Sequence, residues 1–321
     1  MNLDAAMATP GFGLIVIGDE ILSGRRADKH LTKVIELLAA RGLSLGWAEY
    51  VGDVPDRITA VLTRAFACGD VVFCTGGIGA TPDDHTRQCA ARALGVPLAL
   101  HPEAKALIEE RMRDTAAGQG APFEPDRPDN LHRLNMGVFP AGAQIIPNPY
   151  NKIPGFSIVV PSPSGGGQGW GPAALTAVTA AGPYPGLPEG AEQPGKHHEA
   201  QWGAALHFVP GFPVMAWPMI EWVLDRRYPH LRGSAAWQER SLIVLGAMEA
   251  TLTPVMQRVE AAHPGVKVFS LPSVDHPEYG PHIDLGVKGA PTLVAPAYAD
   301  LRVWLAPFGL KYGPEAVRNS A

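Results

Sequence analysis

The feature that most constrains this chain is the alternation of short apolar runs with helical patterns through its first half. The run FGLIVIG over residues 12 to 18 is apolar throughout, as expected of a strand covered on both faces. From Asp28 to Arg41, apolar residues recur at helical spacing, with Asp28 as N-cap and Gly42 beyond the C-terminus. The same unit repeats further on, as strands over 43–53 and 70–75 and helices over 55–68, 82–94, 102–117 and 127–137. This order predicts an α/β domain with three layers, built on an open, mostly parallel sheet.

A second, smaller unit is predicted from Arg240 onward. It reads as strand SLIVLG, helix Glu249 to Ala262, strands VKVFSLP and HIDLGVK, and a last helix around Tyr298 to Phe308. In HIDLGVK the apolar residues alternate with Asp284, Gly286 and Lys288, which indicates a sheet with one buried face. We therefore expect a small α+β domain over 236–321, after a larger domain over 1–232.

The chain has 36 glycines and 32 prolines, and they are dense between residues 161 and 203. That segment has little periodicity, so we expect an insert that is mobile or packs only on the surface. The formal net charge of −5 gives no basic footprint for nucleic acid or an anionic membrane. Three cysteines form no CxxC pair, and no signal peptide is recognisable, so buried thiols and a cytoplasmic location are expected.

Acidic residues follow the predicted strands at their carboxyl ends. Asp19 and Glu20 follow the first strand, Asp53 follows the second, and Asp83 with Asp84 lies just past the loop after the third. Ligands of open parallel sheets bind beyond this edge, where the chain changes direction. If the strand order is 2-1-3, the loops after strands one and three are neighbours, and their carboxylates meet.

The loop Thr75-Gly76-Gly77-Ile78-Gly79-Ala80-Thr81 offers backbone N–H groups without obstructing side chains, which is how glycine loops bind phosphate. It matches neither GxGxxG nor the P-loop. It also fits a tight turn into a helix, with Thr81 as N-cap, Pro82 at the first helical position and the two acids in the first turn. Carboxylates repel a bare phosphate, so a phosphate site here implies a divalent cation between them. Mg²⁺ suits one or two carboxylates plus phosphate oxygens.

These residues resemble a known family, the molybdopterin-binding (MoaB/Mog-like) domains, in the version that forms the N-terminal part of competence/damage-inducible protein A (CinA). Five stretches carry the resemblance: Gly18 to Gly24 with Asp28, Thr75 to Asp84, Pro147-Asn148 with Pro154-Gly155-Phe156, Pro210 to Pro213, and Gly246 with Glu249 and Leu252. The last of these resembles the opening of the family's KH-like second domain. The chain ends without the family's amidase domain, so nicotinamide-nucleotide deamidation is not expected.

The resemblance implies a site for a nucleotide or pterin pyrophosphate. It assigns Asp84, Asp83 and Asp53 to catalysis and Asp19, Glu20 and Asp84 to the metal, which is Mg²⁺, or else Mn²⁺ or Co²⁺. The phosphate or nucleotide would contact a third set, namely Thr75, Gly76, Gly77, Ile78, Gly79, Ala80, Thr81, Ser23, Gly24 and Asn148.

Metal-dependent hydrolysis of a pyrophosphate such as ADP-ribose is the favoured activity. The alternatives are molybdopterin binding or adenylyl transfer, as in molybdenum cofactor biosynthesis, and a catalytically silent binding protein. RNA binding by the second domain is disfavoured, because the GxxG clamp is absent. We also expect a homo-oligomer and no membrane partner.

The chain departs from the family pattern at four positions. His30 stands where the family has an asparagine, and Asn151 and Ile153 replace a glycine and an alanine. Met215 stands where a glutamate is usual, which removes a charge and its hydrogen bonds. These departures bear on whether the activity is retained.

Overall fold

A computed structural model describes residues 10–159, 204–233 and 237–319. The predicted insert over 161–203 lies outside these ranges. The chain divides into two compact units, the first formed by Met1–Leu37 and Ser44–His230 and the second by Leu38–Leu43 and Leu231–Ala321. No helix within the described ranges is long and apolar enough to cross a membrane.

The first unit is built on a mostly parallel sheet. In spatial order its strands are β2 (Leu45–Val51), β1 (Phe12–Ile17), β3 (Val71–Thr75), β8 (Ala205–Val209), β7 (Gly155–Val159) and β6 (Gln144–Ile146). β1 pairs in parallel with both β2 and β3, and β3 pairs in parallel with β8, whereas β7 is antiparallel to its two neighbours. The expected order 2-1-3 and the mostly parallel α/β sheet are confirmed. A separate antiparallel pair, β4 (Leu98–Leu100) with β5 (Val138–Pro140), was not predicted.

The helices of this unit follow the predicted crossover pattern. They are α1 (Asp19–Leu22), α2 (His30–Ala39), α3 (Pro55–Ala67), α4 (Thr86–Leu94), α5 (Pro102–Gly118), α6 (Pro128–Leu134) and α7 (Pro213–Arg227). Asp28 caps α2 as expected, because its carboxylate accepts the N–H groups of His30 at 2.8 Å and Leu31 at 3.0 Å. The predicted start of α4 at Pro82 is wrong, since the helix begins at Thr86.

The sheet is buried on both faces at β1 and β3, which explains why these two strands are apolar apart from Thr75 at the end of β3. All six residues of β1 and all five of β3 are buried. Ile15 and Cys74 belong to one cluster with Ile58 and Leu62 of α3, while Leu14, on the opposite face of β1, is fully buried as well. Of the three cysteines expected to be buried, Cys74 and Cys89 are, but Cys68 is exposed.

The second unit is an antiparallel sheet packed against two helices, which confirms the predicted α+β domain. Its strands lie in the order β10 (Lys267–His276), β11 (Gly280–Gly289), β9 (Gln238–Leu245) and β12 (Lys311–Asn319), and its helices are α8 (Glu249–Ala262) and α9 (Pro291–Leu305). Ile283, Leu285 and Val287 are buried, as their alternation predicted. The last helix begins at Pro291, earlier than expected, and β12 was not predicted.

A buried polar network lies within the first unit, between β7, β8 and the end of α7. His207 is fully buried, with Nδ1 at 2.7 Å from Ser157 Oγ and Nε2 at 2.8 Å from the Tyr228 hydroxyl. The Arg227 guanidinium donates to Ser157 Oγ and to the Ile145 carbonyl. Burial lowers the pKa of His207 well below its ordinary value, and the charge of Arg227 acts in the same direction. The imidazole is therefore neutral in the folded protein.

His207 should make the folded state sensitive to acid. An unfolded histidine takes up a proton near pH 6.5, whereas His207 stays neutral, so below that pH the unfolded state gains stability, by up to about 1.4 kcal/mol per pH unit. His207→Gln should be less stable than wild type at pH 8. Its free energy of unfolding should not show the additional decrease below pH 6.5 that protonation of an unfolded histidine causes. Urea denaturation between pH 8 and pH 5 measures both. Parallel loss of stability in the two proteins as the pH falls would contradict the assignment.

Candidate functional site

A cavity of about 440 Å³ lies in the first unit beyond the carboxyl ends of β1 and β3. One part of its wall is acidic or polar and another part is apolar. Its lining residues are Ile17, Gly18, Glu20, Arg26, Asp53, Gly77, Ile78, Gly79, Ala80, Thr81, Asp83, Asp84, Met136, Asn148, Asn151, Ile153, Pro154, Pro210, Gly211, Phe212 and Met215. Most of the predicted site residues are therefore in one place, at the edge where parallel strands place their ligands.

The loops after β1 and β2 are joined by a reciprocal pair of hydrogen bonds. The Asp19 N–H donates to Asp53 Oδ2 at 2.7 Å, and the Asp53 N–H donates to Asp19 Oδ1 at 3.2 Å. A side chain at Gly52 would collide with Asp19 Oδ1, so a glycine is needed for this approach. The Asp19 carboxylate thus supports the loop and is not among the cavity-lining residues, whereas Asp53 is.

Asp53 has the electrostatic properties of a proton acceptor. Burial raises its pKa above the ordinary value, while the hydrogen bond from the Asp19 N–H lowers it. The negative charges of Asp19, Glu20 and Asp83 raise it further. Raised carboxylate pKa values in clefts are typical of catalytic groups, because they bring proton affinity closer to neutral pH.

Glu20 is the second acid of the cavity and has one cation beside it. Arg26 Nη1 lies 3.6 Å from Glu20 Oε1, and the Arg26 N–H donates to the Glu20 carbonyl at 3.0 Å. The same guanidinium lies 5.2 Å from the centre of the Phe212 ring, which is half exposed. The Arg26–Phe212 pair was not predicted from the sequence. It is a cation–π contact between two residues that line the cavity.

The glycine loop, residues 76–81, is bonded through its carbonyls to the start of α4. Thr86 donates its hydroxyl to the Gly76 carbonyl at 3.0 Å and its N–H to the Gly77 carbonyl at 3.0 Å. Gly76 and Gly77 have φ values of 99° and 67°. A Cβ at Gly76 would collide with the Ile17 carbonyl oxygen, and a Cβ at Gly77 would collide with Thr86 Oγ1. Glycine is therefore required at both positions.

The loop N–H groups remain available. Within the described residues, no protein group accepts a hydrogen bond from the N–H of Gly77, Ile78, Gly79 or Ala80. All four residues line the cavity. A run of consecutive N–H groups without acceptors is the arrangement that binds phosphate oxygens in other proteins.

Asp84 supports this loop through its side chain. Its Oδ2 accepts the Thr81 N–H at 2.8 Å and the Thr81 hydroxyl at 2.6 Å. A Cβ at Gly79 would lie 2.5 Å from the same oxygen. This contact explains the late start of α4: Asp84 folds back onto Thr81, so the acids occupy a turn and Thr81 is not an N-cap. Asp84 also lines the cavity, as does Asp83.

Asn148, predicted to contact phosphate, is buried and lines the cavity, but its side chain is used within its own loop. It donates to Asn151 Oδ1 at 2.8 Å and to the Ile153 carbonyl at 2.9 Å, and it accepts the Tyr150 N–H at 3.0 Å. Four other predicted contacts, Ser23, Gly24, Thr75 and Gly76, are not cavity-lining residues.

A cation in this cavity would have hard oxygen ligands, which suit Mg²⁺. Glu20, Asp53, Asp83 and Asp84 line the cavity, and of these Asp53 and Asp84 each accept a backbone hydrogen bond, as does Asp19 outside the lining. No group of three histidine, cysteine or acidic side chains in the described ranges is arranged to hold a metal by itself. An ion bound here would need phosphate oxygens and water to complete its shell.

A family model described as a probable molybdopterin-binding domain matches residues 13–232. The chain belongs to this molybdopterin-binding family. The match includes every cavity-lining residue, so the cavity lies within the molybdopterin-binding domain.

Sequence relatives of this molybdopterin-binding domain agree with the predicted family. A CinA-like protein of Gloeobacter violaceus is 29% identical over 300 residues, which are 91% of this chain and 57% of that protein. A CinA-like protein of Anaeromyxobacter dehalogenans is 32% identical over 147 residues, or 46% of this chain and 34% of that protein. The chain thus spans between a third and about half of the length of these relatives.

Among solved structures, the protein CinA of Thermoplasma acidophilum matches 67% of this chain and 97% of its own, at 20% identity and a TM-score of 0.46. That structure is described as a protein of unknown function.

The departures from the family pattern lie around the same cavity. Asn151 donates its side-chain N–H to Met215 Sδ at 3.2 Å, so two of the substituted positions contact each other. His30 is buried, with Nε2 at 3.0 Å from the carbonyl of the cavity residue Gly211. In this molybdopterin-binding domain Met215 therefore gives the cavity lining an apolar side chain where a glutamate would give it a charge.

The hydrogen bonds of Asp84 yield a test of loop stability. Asp84→Ala removes the acceptor of two hydrogen bonds and should lower the free energy of unfolding by about 1–2 kcal/mol. Asp84→Asn keeps an oxygen for Thr81 and should lose less. Chemical denaturation measures both, with the exposed Asp126→Ala as control. Equal losses for the alanine and asparagine variants would show that charge, rather than the acceptor, supports the loop.

Proposed function

We propose that the cavity binds a nucleotide pyrophosphate of the ADP-ribose type and hydrolyses it with the help of a divalent cation, Mg²⁺ in the first instance and Mn²⁺ or Co²⁺ as substitutes. The supporting observation is the pairing of two features around one cavity. Four loop N–H groups without acceptors in the described chain lie on one side, and Glu20, Asp53 and Asp83 contribute carboxylates. The N–H groups suit phosphate oxygens, while the carboxylates suit a cation and a water molecule.

The roles of the residues follow from their contacts. The glycine loop binds phosphate oxygens through backbone N–H groups, at positions where side chains would interfere. Glu20 and Asp83 are the carboxylates available to a cation, which would polarise the phosphate and offset its charge. Asp53 Oδ2 is fixed by the Asp19 N–H, whereas Oδ1 has no donor within the described residues. Asp53 therefore accepts a proton from the attacking water.

The chemical step is a displacement at phosphorus. The water oxygen forms a bond to one phosphorus, its proton passes to Asp53, and the bond from that phosphorus to the bridging oxygen breaks. The leaving group is the other monophosphate. Two monophosphates are produced from one pyrophosphate and one water, so no redox partner is required.

Pterin binding is the second candidate, and two observations favour it. The family model describes a molybdopterin-binding domain. The cavity also has an apolar wall of Met136, Ile153, Pro154, Phe212 and Met215, against which a planar ring would pack. Adenylyl transfer would use the same loop and acids.

Asp53→Asn tests the enzyme hypothesis. It keeps the acceptor for the Asp19 N–H but cannot take a proton, so turnover of ADP-ribose with Mg²⁺ should fall by about 10²–10⁴-fold. Asp56→Asn is the control, since it makes the same charge change on α3, at a side chain that is 90% exposed and outside the cavity lining. Product release is followed with Mg²⁺, Mn²⁺, Co²⁺ or chelator.

Two outcomes would contradict the proposal. If wild type cleaves no pyrophosphate with any of these metals but binds a pterin or nucleotide tightly, the binding function is correct. If the Asp53→Asn and Asp56→Asn variants turn over ADP-ribose at the same rate, Asp53 is not the proton acceptor.

A further inference from the structure

Arg87 is a charged residue on the buried face of α4, and neither the cavity lining nor the predicted site includes it. Only 4% of its surface is exposed. Its Nη2 donates to the Gly79 carbonyl at 2.6 Å, and its Nη1 donates to the Asn135 carbonyl. Gly79 is in the glycine loop, and Asn135 precedes Met136, which lines the same cavity. One guanidinium therefore joins two segments of the cavity wall.

The direction of the loop carbonyls fixes the direction of the loop N–H groups. In a trans peptide, the carbonyl of one residue and the N–H of the next point to opposite sides, and no peptide bond in the described chain is cis. Thr86 donates hydrogen bonds to the carbonyls of Gly76 and Gly77, and Arg87 donates one to the carbonyl of Gly79. The N–H groups of the residues that follow, Gly77, Ile78 and Ala80, therefore point away from the start of α4.

The Gly79–Ala80 peptide differs from the Gly76–Gly77 and Gly77–Ile78 peptides because the donor to its carbonyl is a charged group. A hydrogen bond to a charged donor is stronger than a neutral one, and it polarises the peptide so that the N–H at the other end is a better donor. Burial lowers the pKa of Arg87, while the charge of Asp84 acts in the opposite direction. Arginine remains protonated under such conditions.

We infer that Arg87 is a positioning residue for anion binding: it holds the Gly79–Ala80 peptide with the Ala80 N–H toward the cavity and strengthens that N–H as a donor to a pyrophosphate oxygen. The identity of the anion rests on the proposed function, but the orientation of the peptide does not. Lysine would not replace Arg87 fully, because it lacks the planar fork that reaches two carbonyls at once.

Binding of inorganic pyrophosphate, measured by calorimetry without any turnover, tests this inference. Arg87→Gln should weaken binding roughly tenfold to a hundredfold, the usual effect of losing a charge-assisted hydrogen bond. Arg87→Lys should recover part of the loss. Arg92→Gln is the matched control, because it removes the same charge from the same helix, where Arg92 is exposed and bonds Asp56 and Thr59 instead. A folded Arg87→Gln protein with wild-type affinity would overturn the inference.

A measurement on wild type keeps the test decisive if the Arg87 variants do not fold. Pyrophosphate should shift the backbone amide resonances of Gly77, Ile78 and Ala80, with Ala80 shifted most, and should leave Thr81 little changed because its N–H is bonded to Asp84. Equal shifts at Thr81 and Ala80, or no binding of pyrophosphate at all, would refute the role of Arg87. Binding that depends on Arg87 but leads to no hydrolysis would refute only the proposed enzyme activity.

Discussion

The parallel pairing of β1 with both β2 and β3 is the constraint on which the site depends. It places the ends of three strands at one edge, so that Gly18 to Glu20, Asp53 and the glycine loop meet although they are far apart in sequence. Full burial of β1 and β3 fixes this arrangement, since a shift of either strand would disrupt its packing against the elements that cover both faces. The position of the cavity follows from the packing of the core.

Two kinds of carboxylate can be distinguished at this edge. Asp19 and Asp84 accept backbone N–H groups and hold the loops in place. The reciprocal bonds between the backbone N–H groups and carboxylates of Asp19 and Asp53 hold these two acids close together despite their like charges. Glu20, Asp53 and Asp83 remain for a ligand. Burial makes ionising Asp53 unfavourable and raises its pKa, and the negative charges of Asp19, Glu20 and Asp83 act in the same direction.

The sequence predicted the strands and helices whose periodicity is long and regular, and it allowed the strand order that brings the acids together. It did not predict β12, where KYGPEAVRN shows no alternation and contains both Gly and Pro. It also placed the start of α4 too early, because Thr81-Pro82-Asp83-Asp84 has the composition of a helix start. The side chain of Asp84 bonds back to Thr81 instead, and Thr86 bonds the loop. Composition alone does not reveal that competition.

Arg87 shows what kind of signal could have extended the sequence prediction. Residues 87, 90, 91 and 94 share the buried face of α4, so one charged residue stands in an otherwise apolar stripe. A charge in that place requires polar partners, because burying it without them is strongly unfavourable.

The partners of Arg87 are the carbonyl of Gly79 in the glycine loop and the carbonyl of Asn135, the residue before Met136. The hydrogen bond from Arg87 to the Gly79 carbonyl thus helps to satisfy a buried guanidinium and also orients the N–H of Ala80. This links the stability of α4 to the chemistry of the cavity.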